Sequence, residues 1–431
     1  MRMTSQVDKT TLSGLAIAGA PKAFDHILHV GRPNIGNRQR FLDRVNEALD
    51  RRWLSNAGRF VTEFERAVEQ KLGVRHCVAM CNGTVALEIA IRALGLHGEV
   101  IVPSFTFIAT AHALQWQEIT PVFCDIDPRT HNMAAELVER MITPRTTGII
   151  GVHLWGRPCD VGELETIAQR RGLALLFDAS HAFGCSCQHR MIGSFGRAEV
   201  FSFHATKCLN TCEGGAVVTN DSDLAGRCRL MKNFGFKGYD RVTHIGTNGK
   251  MDELSAAMGL TVLEDFEAIV ERNRRSYDHY SALLVGLPGV SPVRYDPAQV
   301  QNFQYVVAEI DEAAAGISRN DVLTVLLCEN VLGRRYFYPG CHRMEPYKSL
   351  FPHAGLLLPE TERLVERVLV LPAGDAVTQD EIALICRMIR TCIEQPREVR
   401  ALLERNSAAI RELRCDMRVP PPPSGEQHAD R

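Results

Sequence analysis

The chain of 431 residues is long enough for a large and a small domain, each with its own apolar core, that share a cleft. A formal net charge of −2 gives no support for a polyanion-binding surface, so nucleic acid is not an expected partner. No run of about 18 apolar residues is present, and the segment from Met1 to Lys9 lacks the apolar centre of a signal peptide, so we expect no membrane contact and a cytoplasmic location.

From about Arg38, short apolar runs alternate with stretches of helical spacing. This alternation predicts an α/β fold with a largely parallel sheet that helices cover on both faces. The apolar runs predict strands at 77–80, 99–102, 120–124, 147–153, 173–177 and 199–203. Helical spacing predicts helices at 85–94, 108–116, 134–141 and 162–171.

The later part of the chain is expected to form a smaller α/β domain. Helical intervals over 255–284 predict a bridge to it, followed by a segment at 303–310 and helices at 319–330 and 379–394. The predicted division is an N-terminal arm (1–37), a large domain (38–265), a small C-terminal domain (266–395) and a tail (396–431). The tail begins with a helical pattern, but four consecutive prolines after Val419 cannot continue a helix, so its end is expected to be disordered.

The fourteen cysteines raise the question of disulfides or zinc. Cys77, Cys81 and Cys124 lie in or beside apolar runs, and no Cys-x-x-Cys pair has partners at zinc spacing. We therefore expect buried free thiols and no metal site.

Lys207 lies between two β-rich runs, 200–203 and 216–219, and Gly214 and Gly215 open the second. An amine held on such a tight connection can be partly desolvated and can lose its proton near neutral pH, which attack on an aldehyde requires. This placement suggests a lysine that forms a Schiff base. A surface lysine in a hairpin is compatible with the local pattern as well.

Two further segments carry groups suited to a bound cofactor. The strand predicted at 173–177 is followed by Asp178 and His181 at its carboxyl end, where ligands of open α/β sheets collect. A carboxylate there can keep a pyridinium nitrogen protonated. Gly83 and Thr84 precede a predicted helix, and free backbone N–H groups at a helix start bind phosphate. Taken singly, a helix cap and a core histidine explain these residues too.

These three places together resemble the DegT/DnrJ/EryC1/StrS family of pyridoxal-phosphate sugar aminotransferases, and within it the C-4 aminotransferases of deoxyaminosugar biosynthesis. The likeness extends from about Gly31 to about Asp375 and includes Trp53-Leu-Ser, Val102-Pro-Ser-Phe-Thr-Phe-Ile-Ala-Thr, Val122-Phe-Cys-Asp-Ile-Asp, His153-Leu-Trp-Gly-Arg-Pro, Gly246-Thr-Asn-Gly-Lys-Met and Tyr336-Phe-Tyr-Pro-Gly-Cys-His. It implies a fold type I transferase, with a mixed, mostly parallel sheet flanked by helices plus a smaller C-terminal α/β domain. It also implies pyridoxal 5′-phosphate as the cofactor.

The resemblance implies catalytic roles for three residues. Lys207 matches the family lysine that forms the Schiff base with the cofactor. Asp178 matches the partner of the pyridine nitrogen, and His181 stands in the place of the Gln or His beside the 3-hydroxyl.

Further cofactor contacts are implied at five positions. Gly83, Thr84 and Ser202 match the phosphate-binding residues, and Phe107 matches the aromatic residue that stacks on the pyridine ring. Asn248 matches an asparagine that reaches the phosphate from the neighbouring subunit, so the resemblance implies a homodimer with composite active sites.

Substrate-facing loops of the family match the segments that contain Arg32, Lys250, Tyr336 and His342, which are therefore candidates for substrate contacts. The sequence departs from the family at two places. Asn82 stands where many members have Ser, and Lys250 stands where many have Arg.

The implied reaction transfers an amino group from L-glutamate to a nucleotide-linked 4-keto-6-deoxyhexose. A C-3 sugar aminotransferase would use the same catalytic set, so the motifs leave this alternative open. In the related sugar dehydratases a histidine replaces the Schiff-base lysine, and Lys207 argues against that activity. A cofactor-binding regulatory protein without turnover is the alternative from another class, which retention of Lys207 and Asp178 disfavours.

Overall fold

The computed structural model describes residues 8–413. Its strands are β1 (Leu28–His29), β2 (His76–Met80), β3 (Glu99–Pro103), β4 (Thr120–Cys124), β5 (Thr146–Val152), β6 (Ala174–Asp178), β7 (Ser186–Cys187), β8 (Arg190–Met191), β9 (Ala198–Ser202), β10 (Gly215–Thr219), β11 (Val290–Pro292), β12 (Val306–Ile310), β13 (Val331–Leu332) and β14 (Val368–Leu371).

The α-helices of the same range are α1 (Arg38–Arg51), α2 (Arg59–Leu72), α3 (Gly83–Ala93), α4 (Ala109–Gln115), α5 (Ala135–Met141), α6 (Val161–Arg171), α7 (Ser222–Met231), α8 (Glu253–Glu264), α9 (Phe266–Leu284), α10 (Glu312–Ala315), α11 (Arg319–Cys328), α12 (Tyr347–Leu350), α13 (Pro359–Val365), α14 (Gln379–Glu394), α15 (Pro396–Arg405) and α16 (Ser407–Leu413).

A seven-stranded sheet in the order β2-β10-β9-β6-β5-β3-β4 forms the centre of the fold. Its strands are parallel except β10, which runs antiparallel to both β2 and β9. Apolar strand residues such as Val100, Ile101 and Val102 are fully buried, because one apolar cluster covers each face of the sheet. The predicted α/β fold is confirmed.

A second sheet, in the order β11-β12-β14, is antiparallel and has its own core with α9, α11 and α14. The segment 255–284, which periodicity alone joins into one bridge, contains α8 and α9 with a break at Asp265. The backbone of Asp265 leaves the helical region there, at φ −99° and ψ 8°. The predicted domain boundaries stay a prediction.

The N-terminal arm packs against the second core. Strand β1 pairs in parallel with β13, and Lys9 Nζ lies 2.8 Å from Glu329 Oε2, with both side chains buried. The tail begins with α15 and α16 as its pattern predicts, while its proline-rich end and the first seven residues lie outside the described residues.

Cysteines between residues 8 and 413 are free thiols, and all except Cys81 and Cys212 are buried. In that part of the chain no group of three or more His, Cys, Asp or Glu side chains could hold a metal ion. None of the helices there combines the length and the apolar character needed to cross a lipid bilayer.

Candidate active site

A cleft opens at the carboxyl end of the central strands, where ligands of open α/β sheets bind. Asp178 ends β6, Ser202 ends β9, and the N-terminus of α3 lies beside them. Tyr305 and Tyr336, which belong to the later part of the chain, also line the cleft.

Lys207 lies on the connection between β9 and β10 and reaches into this cleft. Its Nζ donates a hydrogen bond of 3.4 Å to Tyr305 Oη. Burial lowers the pKa of the Lys207 amine from 10.5 to about 8, and the nearby charge of Asp178 opposes the decrease. A useful fraction of the amine is therefore unprotonated and nucleophilic near neutral pH.

Asp178 is 5% exposed, and both of its carboxylate oxygens accept hydrogen bonds. Thr110 Oγ1 donates to Oδ2 at 2.8 Å, and the backbone N–H of Ser180 donates to Oδ1 at 3.1 Å. These two donors fix the carboxylate, because a buried acceptor is costly to leave unpaired.

His181 is buried on the same side of the cleft. Its Nδ1 accepts a hydrogen bond of 3.3 Å from the backbone N–H of Trp155. Burial, and then the charge of Lys207, lowers the pKa of His181 well below 6.5, so the ring is neutral. Since Nδ1 acts as the acceptor, the one ring proton lies on Nε2, which has no hydrogen-bond partner among residues 8–413.

The start of α3 forms an anion cradle with Ser202. Asn82 caps the helix, because its Oδ1 accepts a hydrogen bond of 2.8 Å from the backbone N–H of Val85. The cap fixes the first helical residues, Gly83 and Thr84, which line the cleft. A Cβ on Gly83 would lie 3.0 Å from Ser202 Cβ, which shows how closely the two elements approach. Backbone N–H groups and two hydroxyls at a helix N-terminus suit a phosphate.

These groups fit pyridoxal phosphate. The cleft combines an amine of lowered pKa, a fixed carboxylate, a neutral imidazole with a free N–H and an anion cradle. The amine suits the aldehyde of the cofactor, and the carboxylate suits its pyridinium nitrogen. The imidazole N–H suits the ring oxygen, and the anion cradle suits the phosphate.

Three other predicted residues lie at or beside the cleft. Phe107 and Tyr336 line it, and the Phe107 ring is 55% exposed and meets Phe337 edge-on at 6.3 Å. Arg32 lines an adjoining pocket that shares Tyr305 and Tyr336 with the cleft.

Asn248, Lys250 and His342 do not line the cleft of this chain. Asn248 is exposed, and Lys250 Nζ donates to Asn233 Oδ1 at 3.1 Å. His342 is buried, with its Nε2 2.7 Å from Glu362 Oε1, so its ring faces a carboxylate instead of the predicted substrate space.

The profile of the DegT/DnrJ/EryC1/StrS aminotransferase family matches residues 36–390. The chain belongs to this family.

Its relatives include the dTDP-4-amino-4,6-dideoxy-D-glucose transaminase of Shigella dysenteriae, 33% identical over 84% of this chain and 98% of that protein. The GDP-perosamine synthase of Escherichia coli O157:H7 is 32% identical over 84% of this chain and 97% of that protein. The crystal structure of DesI in the presence of its TDP-sugar product is 51% identical, has a TM-score of 0.87 and covers 91% of this chain and 99% of that one. The chain is a pyridoxal-phosphate-dependent aminotransferase.

Three residues that contact the functional side chains of this aminotransferase's cleft are not identified by the sequence analysis. Thr110 lies in the first turn of α4, three residues after Phe107, so its place beside the cleft could have been inferred. Trp155 belongs to the His153-Leu-Trp-Gly-Arg-Pro motif of the family, but the motif alone does not indicate a contact with His181. Tyr305 carries no local signal, because its contact with Lys207 joins positions about a hundred residues apart.

Proposed function

We propose that this aminotransferase moves an amino group from L-glutamate to C-4 of a nucleotide-linked 4-keto-6-deoxyhexose. The proposed acceptor is dTDP-4-keto-6-deoxy-D-glucose, and the products are dTDP-4-amino-4,6-dideoxy-D-glucose and 2-oxoglutarate. The supporting observation is that Lys207, Asp178 and the anion cradle lie in one cleft. The chain is also 51% identical to DesI, whose crystal structure was analysed in the presence of its TDP-sugar product. The Shigella dysenteriae relative carries the corresponding activity in its name.

The cofactor contacts follow from the chemistry of each group. Asp178 would hold the pyridine nitrogen protonated, His181 Nε2 would donate to the ring oxygen, and the cradle of Gly83, Thr84 and Ser202 would bind the phosphate. Phe107 would cover one face of the ring. The cofactor would supply the electron sink that stabilises negative charge on the reacting carbon.

Lys207 has two tasks in this proposal. Its neutral amine would bind the cofactor's carbonyl carbon between turnovers. Once displaced by the donor's amino group, Nζ would take the proton from the donor's α-carbon and deliver it to the cofactor, and it would run the transfer in reverse for the sugar. A pKa of about 8 suits both tasks, because the amine can accept and return a proton near neutral pH.

We further propose a homodimer in which Asn248 of one subunit reaches the phosphate site of the other. The supporting observation is that Asn248 is exposed and lies outside the cleft of its own chain. The same segment exposes apolar side chains, including Phe234 at 46% and Ile245 at 74%, which a subunit contact would cover.

The deciding experiment is incubation with L-glutamate and dTDP-4-keto-6-deoxy-D-glucose, followed by NMR of the sugar product. An amino group at C-4 supports the proposal. If the 4-keto sugar is left unchanged and the corresponding 3-keto sugar is aminated at C-3, the alternative regiochemistry is identified instead. A GDP-linked 4-keto sugar belongs in the same panel, because a GDP-perosamine synthase is among the relatives. Lys207→Ala serves as the inactive control.

Glutamate alone separates this enzyme from a regulatory cofactor-binding protein. A transaminase converts the bound cofactor to its amine form and releases 2-oxoglutarate, and both changes can be followed by absorbance and by a coupled assay. A protein that binds the cofactor and releases no 2-oxoglutarate would refute the enzymatic proposal.

A further inference from the structure

Trp155 has a backbone conformation that is unusual for a bulky residue. Its φ of 61° and ψ of 10° lie in the left-handed region, and Gly156 follows at φ +84°. The turn comes directly after β5 and is packed against the segment of His181. A Cβ on Gly156 would lie 3.1 Å from the carbonyl oxygen of His181.

This turn directs one backbone group at the imidazole. The N–H of Trp155 donates to His181 Nδ1 at 3.3 Å. The carbonyl oxygen of His181 accepts from Asn302 Nδ2 at 2.9 Å, so the backbone of the histidine is fixed as well. A backbone donor cannot rotate away as a side chain can, so it imposes one ring orientation.

The Trp155 indole is fully buried and supports the same ring. It lies nearly parallel to His181, with centroids 5.9 Å apart, and to Phe337, with centroids 5.4 Å apart. Its Nε1–H donates to His131 Nδ1 at 3.3 Å, and His131 Nε2 lies 2.9 Å from Glu309 Oε1 on β12. The indole is therefore held by a hydrogen-bonded chain that ends on the second sheet.

We propose that Trp155 is a positioning residue for His181: its left-handed turn occupies Nδ1 and leaves the only imidazole proton on Nε2, facing the cleft. This inference rests on the assignment of the cleft as the cofactor site. It gives the His153-Leu-Trp-Gly motif a role in the chemistry, although no atom of Trp155 needs to touch a substrate.

The tautomer can be measured without the cofactor. Nitrogen-15 NMR of histidine-labelled apoprotein near pH 8, with His181 assigned by loss of its signals in His181→Gln, should show the proton on Nε2. Trp155→Phe keeps an aromatic side chain and the backbone N–H donor, so it should retain the proton on Nε2. Trp155→Ala removes the buried indole that holds the left-handed turn against His181, and it should give a mixture of tautomers. A wild-type proton on Nδ1 overturns the inference whether or not any variant folds.

A second measurement separates positioning from general support of the cleft. Trp155→Ala should weaken binding of pyridoxal phosphate about tenfold in the wild-type background, the cost of one misdirected hydrogen bond. In the His181→Gln background it should change binding less than about twofold, because its effect acts through the histidine. Equal weakening in both backgrounds would overturn the inference. If the wild-type protein shows the expected tautomer and the expected difference between the two backgrounds but transfers no amino group, the proposed function is refuted and the inference stands.

Discussion

The protonation of Lys207 sets the pH range in which the cleft can capture a carbonyl compound. Burial lowers the pKa of its amine to about 8, and only the neutral amine attacks. Capture of pyridoxal phosphate by the apoprotein should slow about tenfold for each pH unit below this value and level off above it. Stopped-flow absorbance measures the rate.

Lys207→Ala is the control for that experiment and should show no capture. Borohydride reduction and peptide mapping should place the cofactor on Lys207. A midpoint close to the ordinary lysine pKa of 10.5, or label on another lysine, would contradict the assignment.

Asp178 and Thr110 should give a graded loss of activity. Asp178→Asn removes the negative charge at nearly constant shape and should reduce kcat on the order of a hundredfold or more. Thr110→Val removes the donor to Oδ2, together with a longer contact of 3.3 Å to Thr106 Oγ1. It should reduce kcat about tenfold, typical of one hydrogen bond to a charged group.

Thr166→Val is the matched control for this pair, because its hydroxyl bonds only to the Gly162 carbonyl of its own helix at 2.8 Å, on the protein surface. Steady-state kinetics of the three variants provides the comparison. Turnover of Asp178→Asn within about threefold of wild type would show that the cofactor ring is not placed as proposed.

At the scale of elements, the cap of α3 links helix stability to phosphate binding. Asn82→Ala removes the side-chain oxygen that accepts from Val85, so it should destabilise the helix start by about 1 kcal/mol and weaken cofactor binding. Asn82→Ser should retain most of the helix stability and most of the cofactor affinity, since Ser is an equally good cap.

Asp160→Ala is the control, because Asp160 caps α6 in the same way by accepting from Glu163. Asp160→Ala should lower the Tm about as much as Asn82→Ala does, and it should leave cofactor affinity unchanged. Thermal unfolding and a cofactor titration test both, and equal affinity losses in the two variants would remove α3 from the proposed phosphate site.

At the scale of the whole molecule, Glu329 anchors the N-terminal arm. It accepts from the N–H of Ala16 at 2.7 Å and of Ala23 at 2.6 Å, besides its ion pair with Lys9. Glu329→Ala leaves a buried ammonium unpaired and should lower the free energy of unfolding by about 3–5 kcal/mol. Glu312→Ala, whose partner Arg400 is exposed, should cost at most about 1 kcal/mol in the same urea titration.

The composite dimer predicts complementation between two inactive variants. Lys207→Ala and Asn248→Ala subunits, each inactive alone, should regain part of the activity when mixed, because one heterodimer site has both native residues. Absence of activity after demonstrated subunit exchange would refute the shared site. Light scattering that gives a monomer would refute it as well.

Local signals predicted the central sheet well. The strand expected at 120–124 agrees with β4, and the one expected at 173–177 is displaced by a single residue from β6, since buried parallel strands have continuous apolar runs. The break at Asp265 was missed because the helical periodicity continues across it. The contacts of Tyr305 depend on how the two sheets meet, and no local pattern contains that information.

Two separate parts of the chain supply the side chains that line the cleft. Asp178 pairs directly with Val200, and β9 leads on to the connection that carries Lys207. Both groups are therefore positioned by neighbouring strands about 4.8 Å apart. Tyr305 and Tyr336 line the same cleft from the later part of the chain, and Tyr305 directly precedes β12 of the second sheet. Repositioning the second sheet to admit a larger substrate would change the shape of the entrance while the distance between Asp178 and Lys207 stayed constant. Substrate size can thus diverge within such a scaffold independently of its acid–base chemistry.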